Sequence, residues 1–106
     1  MIDRENAERA VYCFVCNPYW KSIYDNAPTG RMKEYYAMEF YYSWLSGRGA
    51  EYEPEKQAAA DRIKELENAF GLEECRYAVK YCGHNPKRSF FHNRILALSD
   101  SGDDEK

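Results

Sequence analysis

Six aromatic side chains crowd the segment Arg31 to Leu45: Tyr35, Tyr36, Phe40, Tyr41, Tyr42 and Trp44. Thr29 precedes it as an N-cap, and Ser46-Gly47-Arg48-Gly49 follows it as a break, so the segment reads as one helix. At about 100° per residue its apolar side chains do not form a single stripe. Tyr36, Ala37, Phe40, Tyr41 and Trp44 cover one broad face, and Met38, Tyr42 and Leu45 continue round it. Only Tyr35, Glu39 and Ser43 remain for a narrow polar edge. A helix that is apolar nearly all round is buried, which makes it the hub of an array with Tyr36, Phe40, Tyr41 and Trp44 at its centre. A second reading packs one side on the core and turns Tyr35, Met38 and Tyr42 to a protein partner, since tyrosine offers contact area at little entropic cost.

The rest of the chain is punctuated in the same helical period. Asp3 caps a helix to about Cys16 whose apolar stripe is Ala7, Ala10, Val11 and Phe14. Asn17-Pro18 ends it and opens a short one carrying Tyr19, Trp20, Ile23 and Tyr24. A fourth helix spans about Pro54 to Gly71, with Ala59, Ile63, Leu66 and Phe70 on one stripe and Gly71 as a left-handed terminator. A fifth spans about Glu73 to Cys82, and Asn85-Pro86 opens the last, with Phe91, Ile95 and Leu98. No stretch alternates with the period of a strand. The expected fold is all-α, a compact array of five to six helices around the aromatic one, as a single domain over 1–98. Residues 99–106 read as an acidic disordered tail.

With 106 residues and 44% hydrophobic side chains, the chain can bury a core without a metal or disulfide. No apolar run is long enough for a membrane span, and the charged start does not read as a signal peptide, so the expected compartment is the cytoplasm. There Cys13, Cys16, Cys75 and Cys82 stay reduced. Cys13 and Cys16 make a C-x2-C pair that Cys82, His84 and His92 would have to complete as a zinc site, but these partners are scattered. Small core residues are the favoured reading for the cysteines, with no metal and no cofactor. A zinc-stabilised domain is kept as an alternative.

The net charge is −3, but the charges are segregated. Residues 51–74 carry eight acids against three bases, and residues 75–99 carry five bases and no acid. The acidic stretch places Glu55, Asp61, Glu65 and Glu67 on a helix, a row able to imitate a phosphate backbone, although Lys56, Arg62 and Lys64 supply ordinary helix pairs. The basic stretch resembles a helix-turn-helix in outline, and Lys87, Arg88 and Arg94 could meet phosphates or an acidic partner. An acidic domain is an unusual nucleic-acid binder, so that role ranks second. A homo-oligomer joining the acidic and basic segments also fits.

The chain has no glycine-rich phosphate loop, G-x-S-x-G elbow, H-E-x-x-H or paired deaminase motif, so no catalytic residue is assigned. The expected function is a non-catalytic protein-binding module, an inhibitor or adaptor. Small acidic chains of this style occur among accessory proteins of phages and mobile elements, some of which block host nucleases.

Overall fold

The structure, a computed structural model, describes residues 2–81 and 85–103. All regular elements among them are helical, as the spacing predicts. They are α1 (Arg4–Val15), α2 (Pro18–Asp25), α3 (Gly30–Leu45), α4 (Glu53–Ala69), α5 (Leu72–Lys80) and α6 (Asn85–Asp103), with a 3-10 turn, Ala50–Tyr52, leading into α4. Within the span expected as one domain the chain forms two compact units. Met1–Ala69 holds α1 to α4 and Phe70–Lys106 holds α5 and α6.

Local chemistry places the helix starts. Asp3 accepts from the Asn6 N–H at 3.0 Å, Asn17 from Tyr19 at 2.8 Å and Thr29 from Met32 at 3.1 Å. Each cap satisfies a donor the helix cannot, worth about 1 kcal/mol. Pro18 occupies the first turn of α2, where its missing N–H costs nothing. After α3 the chain reverses through Gly49, whose φ of 108° suits a residue without a Cβ.

Gly71 differs from expectation. Its backbone is extended, with φ −86° and ψ −174°, and it is the N-cap of α5 rather than a left-handed end to α4. The next helix starts at Leu72, which leaves no room for a left-handed turn; instead Glu74 reaches back to accept the Gly71 N–H at 2.8 Å. The end of α4 is satisfied by Arg31 of α3, which donates to the Ala69 carbonyl at 2.8 Å.

In the first unit α3 is the hub, in contact with α1, α2 and α4. It buries Met32, Tyr35, Tyr36, Met38, Phe40, Tyr41 and Leu45. Where α1, α2 and α3 meet, Phe14 stacks on Phe40 with ring centroids 4.7 Å apart. Trp20 turns its edge to both, at 6.3 and 5.9 Å, and Tyr24 lies 6.2 Å from Phe40. Such pairs add about 0.5–1.5 kcal/mol each beyond the area they bury.

The second unit is simpler. α5 packs on α6, Phe70 stacks on Phe91 at 5.9 Å, and Phe70, Cys75, Ala78 and Phe91 are buried. α6 runs to Asp103, past Leu98 and over part of the stretch read as a disordered tail. Elongating an established helix adds one hydrogen bond per residue fixed, so polar residues extend it readily. Residues 104–106 lie outside the described ones.

Candidate functional site

The tyrosines of α3 face inward. Tyr35 is 4% exposed and Met38 7%, so neither presents the partner-facing side expected of them. Tyr42 is half-buried, with the Lys56 ammonium 5.3 Å from its ring centroid. Two of the buried phenols find their partners among the carboxylates of α4. Tyr35 Oη donates to Glu67 Oε2 at 3.3 Å, and Tyr41 Oη donates to Glu55 Oε2. Glu55 also accepts from Asn6 Nδ2 at 3.0 Å, and Tyr41 Oη accepts the Asp3 N–H at 2.9 Å. One polar network thus ties the start of α1 to α3 and α4. Burial pushes both phenols well above the usual tyrosine range; the neighbouring Glu39 and Glu67 add to this at Tyr35, and the Glu55 hydrogen bond adds at Tyr41.

The same contacts dissolve the predicted acidic row. Glu67 is buried and Glu55 is engaged from two other helices, which leaves Asp61 and Glu65 exposed. Asp61 accepts from Gln57 at 2.9 Å, and Glu65 from Arg62 at 2.9 Å. Arg62 also holds Glu34 through two bonds of 2.7 and 2.9 Å, and that guanidinium draws the Glu34 carboxyl below its ordinary range.

The basic set also separates. Arg88 is exposed and Lys87 half-buried, but Arg94 turns inward and donates to the Phe70 carbonyl at 2.6 Å. Its job is to satisfy the backbone ahead of α5, and it is not free to hold a phosphate alongside the other two. His92 is exposed. Cys82, Gly83 and His84, the turn of the predicted helix-turn-helix, lie outside the described residues.

What reaches solvent instead is the outer side of α1. Glu5, Glu8, Arg9, Tyr12, Cys13 and Cys16 are all exposed. At about 100° per residue they fall opposite Ala7, Ala10 and Phe14, which face α3. The expectation that Cys13 and Cys16 are core residues therefore fails, while Cys75 meets it at 0% exposure. Burial raises the Cys75 thiol above its usual range. Tyr12 is 73% exposed and Tyr19 55%, which sets them apart from the tyrosines of α3.

Beside this face lies an open groove of about 430 Å³ lined by Glu5, Glu8, Arg9, Tyr12, Cys13, Trp44 and Arg48. Trp44 is half-buried, and the Arg48 guanidinium stacks over its ring at 3.6 Å from the centroid. Stacking fixes an otherwise mobile arginine on an aromatic platform. The groove thus presents two aromatics, two acids and two guanidinium groups. No group of three or more metal-ligating side chains occurs among the described residues. The signal for this face was present in the α1 sequence, because Tyr12, Cys13 and Cys16 are out of phase with Ala7, Ala10 and Phe14. Trp44 and Arg48 join it only through the packing of α1 on α3.

No family model, curated protein or solved structure matches the chain. No helix among the described residues is long and apolar enough to cross a membrane.

Proposed function

We propose that this chain is a non-catalytic protein-binding module, an inhibitor or adaptor of the cytosol, that grips its partner in the groove between α1 and the end of α3. The observation that carries the reading is the grouping of Tyr12, Trp44 and Arg48 along one solvent-facing groove. Tyrosine, tryptophan and arginine are the residue types that most often dominate binding energy. Here they line one groove, in a unit whose other large aromatics are buried or half-buried apart from Tyr19. The fitting partner is a protein segment with an apolar anchor for Tyr12 and Trp44. It would carry charges of both signs to meet Glu5 and Glu8 on one side and Arg9 and Arg48 on the other.

A nucleic-acid role draws less support, because Arg94 is spent on the Phe70 carbonyl. Mimicry of a phosphate backbone has lost Glu55 and Glu67 to the tyrosines of α3. The test is affinity capture from nuclease-treated extract with the wild-type chain and with Tyr12→Ala/Arg48→Glu. A protein retained by the first and lost by the second, with helical content and unfolding midpoint unchanged, supports the reading. Equal retention by both overturns it.

A further inference from the structure

Cysteine is among the most buried residue types, and Cys75 is the ordinary case. Cys13 and Cys16 are free, exposed and one turn apart on the outer side of α1. Neither supports a core, so their chemistry is what distinguishes the site. An exposed dithiol can close a disulfide or chelate a thiophilic ion. Helix geometry separates the two.

On a helix, Cβ atoms one turn apart stand about 5–6 Å from each other. A disulfide needs them at about 3.5–4.5 Å. Cys16 keeps a helical backbone, with φ −65° and ψ −23°, so closing the bond would draw the two Cβ atoms together at the last turn of α1. A tetrahedral zinc-class ion with metal–sulfur bonds of about 2.3 Å sets two thiolates about 3.8 Å apart, a separation the two side chains reach by leaning together. The spacing suits chelation with the helix left as it is.

A closed site of this kind takes four ligands, and among the described residues no third His, Cys, Asp or Glu groups with the pair. We propose that Cys13 and Cys16 bind a zinc-class divalent ion shared with the same pair of a second copy of this chain, closing a four-thiolate site on a two-fold axis. Tyr12 and Tyr19, both exposed, flank the pair in sequence and would be covered by such a contact. The face also carries Glu5 and Glu8 beside Arg9, so it can oppose acid to base when it meets its own copy. In the binding step four S–H bonds break, four metal–sulfur bonds form and four protons leave to solvent, with no change of oxidation state. The tetrathiolate complex carries two negative charges, which Arg9 and Arg48, lining the groove with Cys13, help to balance. The Cys16 thiol now donates to the Tyr12 carbonyl at 3.4 Å, a weak bond that deprotonation gives up. This inference does not rest on the partner-binding reading, although a metal-bridged copy would compete for Tyr12.

The test uses the full chain, reduced and stripped with chelator, titrated with zinc chloride. Mass is followed by light scattering on a sizing column and bound metal by elemental analysis. The expected result is a doubling of mass at one zinc per two chains. Cys13→Ser and Cys16→Ser should each abolish the doubling, and Cys82→Ser should retain it. Cobalt in place of zinc should show the charge-transfer and ligand-field bands of a tetrahedral tetrathiolate. An unchanged mass, one zinc per chain in a monomer, or doubling that survives Cys13→Ser/Cys16→Ser would each overturn the proposal. Because both residues are exposed, the serine variants should keep the wild-type circular dichroism, so a negative result reads on the thiols and not on the fold.

Discussion

Tyr41 and Tyr12 lie in the same unit and have opposite fates. Tyr41 is fully buried; its hydroxyl accepts the Asp3 N–H and donates to Glu55, so one phenol holds three helices in register. Tyr12 is 73% exposed beside a groove with Trp44 and Arg48. The contrast extends to their neighbours. α3 matches its buried hydroxyls to carboxylates on α4, whereas the outer side of α1 leaves aromatic, thiol and charged groups in water. A buried polar group is tolerated where a partner is built for it. An aromatic left outside without structural duty is available for recognition.

Mutations on the two faces should differ in cost, read by tryptophan fluorescence during urea unfolding, since Trp20 and Trp44 both report on the first unit. The largest effect is expected at Phe40, which touches the rings of Phe14, Trp20 and Tyr24. Phe40→Ala should cost about 3–5 kcal/mol. Tyr41→Phe keeps the ring and removes the hydroxyl from a carboxylate, and should cost about 1.5–3 kcal/mol. Tyr35→Phe loses the longer 3.3 Å bond to Glu67 and should cost less, about 1 kcal/mol. Tyr12→Ala should leave the midpoint where it is. A loss at Tyr12 as large as that at Tyr41 would erase the distinction between the two faces.

Titration sharpens the same contrast. The phenols of Tyr35 and Tyr41 are raised in the folded chain, so their contribution is complete below the unfolded value of about 10. It is lost as pH climbs toward the folded values. Stability should therefore fall above about pH 10, and less steeply in Tyr35→Phe/Tyr41→Phe than in the wild type. Glu34 has the opposite sign. Its carboxyl is lowered by Arg62, so its contribution is present above the ordinary value of 4.5 and fades as pH falls through the folded one. Because that pair is partly exposed, the effect should be the smallest of the series, visible as a shallower acid limb in Glu34→Gln.

The local features follow from residue type alone. Asp3, Asn17-Pro18 and Thr29 start their helices with the side-chain caps that their residue types imply, because a cap needs only its own backbone three residues on. The nearly all-round apolar character of 31–45 likewise marked α3 as the hub, although Trp44, expected at its centre, is only half-buried and lines the groove. Long-range partners came only with the packing of the helices. Glu55 and Glu67 look like a solvated acidic row along α4 until α3 sets a phenol against each. Arg94 looks like a free cation until the Phe70 carbonyl takes it. The exposure of Cys13 and Cys16 was legible in the period of α1, but their nearness to Trp44 and Arg48 was not. Helical spacing fixes which side chains share a face, whereas the polar group that a distant segment brings to that face depends on how the helices pack.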